Sequence, residues 1–70
     1  MSAAIEIQLN GEPKSLPADS TVASLVAGLG LKPKFVAVER NEELVPRAQH
    51  GECPLCAGDR IEIVTLVGGG

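Results

Sequence analysis

Only one stretch of this 70-residue chain spaces its apolar residues at a helical interval, and that single stripe limits the possible folds more than any other feature. Val22, Leu25, Val26 and Leu29 recur at i, i+3, i+4 and i+7, which gives one short helix a single apolar face. Asp19-Ser20-Thr21 stands ahead of it and offers N-cap oxygens. Gly28 and Gly30 punctuate its end, and Pro33 bars continuation. Every other patterned segment reads as strand. One helix and several strands in a chain of this length can make only one domain.

Ile5-Glu6-Ile7-Gln8-Leu9 alternates apolar and polar residues, the mark of a half-buried strand with Ile5, Ile7 and Leu9 facing in. Asn10-Gly11 is a strong hairpin signal, so Glu12 to Leu16 is expected to return antiparallel. Pro13 and Pro17 cannot donate ladder hydrogen bonds and place that second strand at an edge. Beyond the helix, Phe35-Val36-Ala37-Val38 is apolar on both faces and reads as an inner strand. Asn41-Glu42 predicts a turn, Leu44-Val45 a short strand ended by Pro46, and Arg47 to Ala57 an irregular segment. Gly58-Asp59 turns the chain into Arg60 to Val67, the longest strand pattern in the sequence. The simplest way to bury one helical stripe and one sheet face is a two-layer α+β domain. We therefore expect a ubiquitin-like β-grasp fold: a mixed sheet of four to five strands, one main helix on one face, and the first hairpin meeting the last strand mid-sheet.

Composition removes several function classes. Phe35 is the sole aromatic residue, so the core must be aliphatic and there is no platform for stacking bases. Six basic residues are scattered through a chain of net charge −3, which does not suit a phosphate backbone. No apolar run approaches a membrane span, and no basic segment leads into an apolar one at the N-terminus. The expected compartment is the cytoplasm, where Cys53 and Cys56 would be reduced thiols.

Residues that could carry catalysis are sparse. His50 has no nucleophile to pair with and reads as a solvated loop residue. Cys53-Pro54-Leu55-Cys56 is a CxxC, but a zinc ribbon needs a second ligand pair and an iron–sulfur cluster needs four cysteines. A redox pair draws on a helix N-terminus that does not follow here. The plainer expectation is that Leu55, with Cys56, plugs the core from a loop. The chain is not expected to be an enzyme.

The C-terminal Gly68-Gly69-Gly70 remains. Glycine has no Cβ, so such a tail can thread a narrow site, and three extended residues reach roughly 10 Å. An idle terminus or a linker is the alternative. If Ile61 and Ile63 face the helix, then Glu62, Val64 and Leu66 face outward beside the tail and form a candidate partner-docking patch.

Asn10-Gly11-Glu12, Val36-Ala37-Val38-Glu39-Arg40-Asn41, Val45-Pro46-Arg47, and Gly58-Asp59 before a strand ending Val67-Gly68-Gly69-Gly70 together resemble the thiamine-biosynthesis sulfur carrier family, ThiS. The resemblance spans the chain, although the cysteine pair lies outside the pattern. It implies a β-grasp domain over 1–67 and a flexible tail over 68–70. It implies that an adenylating activating enzyme, using its own ATP and magnesium, activates the carboxylate of Gly70. Sulfur from a persulfide donor would then give a thiocarboxylate for thiazole synthase, with Gly68 and Gly69 threading. No cofactor and no metal is expected on the chain itself. A molybdopterin-synthase-type sulfur carrier shares the terminal Gly-Gly, as does a ubiquitin-like modifier joined to lysines.

Overall fold

The computed structural model describes residues 3–66. In chain order the elements are β1 (Ala4–Leu9), β2 (Glu12–Pro17), α1 (Val22–Gly28), a 3-10 turn at Pro33–Phe35, β3 (Val36–Arg40), β4 (Glu43–Val45), a second 3-10 segment at Arg47–Glu52, and β5 (Arg60–Thr65). The five strands form one mixed sheet in the order β2-β1-β5-β3-β4. β5 runs parallel to β1 and antiparallel to β3, so the last strand sits mid-sheet beside the first hairpin, as the pattern predicts.

Both hairpins turn on two residues. Leu9 pairs with Glu12 across Asn10-Gly11, and Arg40 pairs with Glu43 across Asn41-Glu42. All four central residues have positive φ, the mark of a type I′ turn, whose twist matches that of the flanking strands. Gly11 meets that demand without cost; Glu42, at φ 72°, pays a steric penalty. The sheet edges are β2, with its two prolines, and the three-residue β4 carrying Glu43, both poor templates for accidental pairing.

The helix starts at Thr21 through a reciprocal cap. The Ser24 N–H donates to Thr21 Oγ1 at 3.1 Å, and the Thr21 N–H donates to Ser24 Oγ at 2.9 Å. It stops in a Schellman arrangement: the Gly30 N–H reaches the Ala27 carbonyl and the Leu31 N–H reaches the Val26 carbonyl. This requires φ +76° at Gly30, which glycine supplies. Leu29 becomes the C-cap and is exposed, so the buried stripe is Val22, Leu25 and Val26.

These three pack on Ile7, Val36, Val38, Val45, Leu55, Ile61 and Ile63, a wholly aliphatic core. Each fully buried aliphatic side chain contributes about 1.5–3 kcal/mol of transfer free energy. Ile5 and Leu9 are half-buried at the margin of this cluster.

Three local expectations are corrected. Phe35 precedes β3 instead of opening it, because Pro33 starts a 3-10 turn in which the Phe35 N–H donates to the Lys32 carbonyl. Its ring lies exposed under the Lys34 ammonium, 5.1 Å from the centroid. Leu55 does plug the core, but the cysteine beside the core is Cys53, and Cys56 is exposed. Residues 53–55 are extended and bridge Thr21 through Pro54, which puts Cys53 and Leu55 on one side and Pro54 on the other. Finally, His50 is buried. The 3-10 segment Arg47–Glu52 packs against α1 and carries the imidazole inward, where Nε2 lies 3.1 Å from the Val45 carbonyl. His50 Nδ1 has no hydrogen-bond partner among the described residues.

Candidate functional site

β5 carries the chain toward its C-terminus, and turn residues hold it at two points, its start and its middle. At its start, Asn41 bonds it twice. Asn41 Oδ1 accepts from the Arg60 N–H at 2.9 Å, and Asn41 Nδ2 donates to Asp59 Oδ1 at 3.1 Å. Farther along, Asn10 Oδ1 accepts from the Ile63 N–H at 2.9 Å, and Asn10 Nδ2 donates to the Ile63 carbonyl at 3.3 Å. The two side chains have parallel roles because both asparagines occupy the first position of a type I′ turn flanking the central strand. The residues read from sequence only as turn formers thus hold the central strand in place. The available signal was an asparagine at the same place in both hairpins, where a glycine would turn the chain equally well.

Asp59 is the hub at the β5 entrance. Its carboxylate accepts from Arg40 Nε at 3.0 Å, from the Cys56 N–H at 2.9 Å and from Asn41. Burial works to raise its pKa, but these donors outweigh burial, and the carboxyl titrates below the ordinary carboxylate range. Arg40 also points a guanidinium nitrogen at Cys53 Sγ, 3.7 Å away. That contact first, and Asp59 second, raise the guanidinium pKa. The arrangement is a satisfied structural lock between β3, the cysteine loop and β5. A cleft of about 360 Å³ opens beside it, lined by Arg40, Leu44, Gln49 and Cys53 among others. Cys53 and Cys56 are both free thiols. They sit by the β5 entrance, whereas the chain leaves the described residues some seven residues later, roughly 23 Å along an extended strand.

On the outer sheet face the predicted orientation of β5 holds. Ile61 and Ile63 are buried against the helix, and Glu62, Val64 and Leu66 are exposed, Val64 at 56% and Leu66 at 52%. Val64 lies beside the small Ala37 of β3, so no neighbouring side chain covers it. Glu62 lies opposite Glu39, and Glu39 opposite Leu44, which is 65% exposed. Glu6 of β1 faces the same way. The outer face is therefore apolar toward the end of β5 and acidic at its middle. Gly68, Gly69 and Gly70 lie outside the described residues.

A central strand parallel to the first, clasped by the first hairpin and backed by one helix, defines this molecule as a ubiquitin-like β-grasp protein. The model of the ThiS family matches residues 7–70. Over 65 residues the chain is 43% identical to the sulfur carrier protein ThiS of Bacillus subtilis, covering 91% of this chain and 98% of that one. It is also 46% identical over 66 residues to a thiazole synthase of Magnetococcus marinus; the match takes in 94% of this chain and spans only 20% of that relative's length. The crystal structure of the thiamine biosynthesis protein ThiS from Geobacter metallireducens superposes with a TM-score of 0.81 at 26% identity, covering 94% of this chain and all of that one. The chain belongs to the ThiS family.

Proposed function

We propose that this protein carries sulfur for construction of the thiazole ring of thiamine, and that the carboxylate of Gly70 is the group that is loaded. The near end-to-end match to a sulfur carrier protein ThiS is the observation that carries this reading. The site geometry is consistent with it. The strand before the tail is locked at Asp59 and again at Ile63, so its end is held in a fixed direction. The exposed Val64 and Leu66, with Glu62, offer a docking surface next to the point of delivery.

The chemistry follows from the weakness of a carboxylate as an electrophile. Attack of the Gly70 carboxylate on the α-phosphorus of ATP, on the activating enzyme and with its magnesium, expels pyrophosphate and leaves an acyl-adenylate. The terminal sulfur of a persulfide donor then displaces AMP, and cleavage of the S–S bond by a thiol leaves the thiocarboxylate. Its sulfur is a good nucleophile at neutral pH and is delivered to thiazole synthase. The carrier contributes presentation and recognition; ATP and magnesium belong to its partner. Two thiazole synthases contain a segment similar to this chain within one longer polypeptide. Such linkage gives two modules a high effective concentration and supports thiazole synthase as the acceptor. The cytoplasm, where ATP and reducing thiols coexist, suits this chemistry.

The direct test is intact mass. After incubation with the activating enzyme, magnesium-ATP and a persulfide donor, the protein should gain the mass difference between sulfur and oxygen. Deletion of Gly69 and Gly70 should abolish the gain without altering the thermal unfolding temperature. An unchanged mass in a system that loads another ThiS-family protein would overturn the proposal. Isopeptide-linked species in cell lysate would assign the protein to the modifiers instead.

A further inference from the structure

The backbone of β5 alternates the direction of its polar groups. The Leu66 N–H donates to the Phe35 carbonyl and the Arg60 carbonyl accepts from the Asn41 N–H, both at 2.7 Å, so even-numbered residues point toward β3. The Ile61 carbonyl accepts from the Asn10 N–H at 2.9 Å, and Ile63 binds the Asn10 side chain through both its N–H and its carbonyl. Odd-numbered residues therefore point toward β1. The register between β1 and β5 holds only two pairs, Gln8 with Arg60 and Leu9 with Ile61, because β1 ends at Leu9 and turns away. Asn10 supplies one more rung from its side chain. Thr65 is the next odd-numbered residue, and among the described residues no strand of the sheet lies on that side of it. Its N–H and carbonyl point past the end of the first hairpin, and the residue is exposed.

We propose that the edge of β5 at Thr65 receives an extended segment of the activating partner, which adds a strand in line with β1 and begins where the Asn10 side chain leaves off. The proposal rests on the reading of the chain end as the delivered group. Main-chain pairing is a general way to hold an extended peptide, because it fixes register while leaving side chains free. A second copy of this chain is a poor occupant. Asn10 already fills the rung at Ile63, so little edge remains among the described residues, and a stable dimer needs about 1,200–2,000 Å² of buried surface. Two copies of net charge −3 would also repel each other. A larger partner that docks on Val64 and Leu66 needs only register from the edge. The carboxylate of Glu62, on the outer face of β5 beside the added segment, calls for a lysine or arginine on the outward side of that segment.

Amide exchange read by NMR on the full-length wild-type chain, alone and with the activating enzyme, tests this. The Thr65 amide should exchange quickly in the free protein and slowly in the complex. Thr65→Pro removes the outward N–H without taking a bond from the β3 ladder. It should fold and bind the enzyme roughly 2- to 10-fold more weakly, the range for one lost hydrogen bond, while Thr65→Val binds like wild type. Equal exchange of Thr65 in the free and bound chains refutes the proposal, as does wild-type affinity of a folded Thr65→Pro. Protection that grows with the concentration of the free chain would give the edge to a second copy and refute it equally. Loading of sulfur is measured separately by mass. Loading with an unprotected Thr65 removes the edge and leaves the function; protection without loading does the reverse.

Discussion

Asp59→Ala is the perturbation whose cost the structure specifies best. The carboxylate is 8% exposed and accepts three hydrogen bonds: from Arg40 at 3.0 Å, Asn41 at 3.1 Å and the Cys56 amide at 2.9 Å. Bonds to a charged group are worth about 1.5–3 kcal/mol each, and breaking a buried ion pair costs about 3–5 kcal/mol. The three bonds share one group and do not add. Arg40, 32% exposed, also recovers part of its hydration. The expected loss is therefore about 2–4 kcal/mol, below the buried-pair figure. A core in a chain this short rarely supplies more than about 3–5 kcal/mol, so the variant should be close to unfolding at 25 °C. Urea denaturation followed by circular dichroism measures this directly. At about 1 kcal/mol per molar urea, the slope for a small domain, the midpoint should fall by roughly 2–4 M.

The same group sets an acid limb. Its pKa in the folded chain lies below the ordinary value of 3.8, so its stabilisation is complete above that pH. It is lost as the pH falls from there through the lowered folded value. Asp59→Asn has no such titration and should give a flatter stability curve across that acid window. A midpoint shift below about 0.5 M for Asp59→Ala, or an identical acid limb in Asp59→Asn, would refute the assignment of Asp59 as the lock on β5.

Glu42→Gly should raise stability by about 0.5–1 kcal/mol in the same urea assay. It relieves the positive φ, whose cost of about 1–2 kcal/mol exceeds what added chain entropy takes back, and the exposed Arg60 contact at 3.9 Å contributes little. Leu25→Ala opens a cavity under the sheet and should cost about 2–5 kcal/mol, measured as a fall in thermal midpoint. Leu66→Asp should leave stability within about 0.5 kcal/mol, as surface changes do, and weaken binding to the activating enzyme; unchanged affinity by calorimetry would remove Leu66 from the docking surface. Replacing Cys53 and Cys56 with Ser should leave sulfur loading intact by mass, since both lie by Arg40 and Asp59 at the start of β5.

What local spacing encodes was legible without coordinates. The alternation of Ile5, Ile7 and Leu9, the stripe of Val22, Leu25, Val26 and Leu29, the Asn10-Gly11 turn and the prolines of β2 specify elements whose periods are set within a few residues, although Leu29 itself is the exposed C-cap. One helix and five strand segments then leave few ways to bury both apolar faces, and the β-grasp order follows. Tertiary structure alone decided the contacts between residues distant in sequence. Asn10 meets Ile63 across 53 positions, and Asn41 and Arg40 meet Asp59 across 18 and 19. No periodicity records such pairs; they exist because the sheet order sets both hairpin turns against the central strand. His50 shows the same limit, since a polar residue beside glycine carries no mark of burial until Arg47–Glu52 coils against the helix. Leu55 in the core was legible in the sequence, but the choice of Cys53 over Cys56 beside it, and the direction of Cys53 toward Arg40, were fixed by pairing with Thr21, a partner on another part of the chain. Sequence period is a property of neighbours along the chain, and the hold on β5 is a property of neighbours in space.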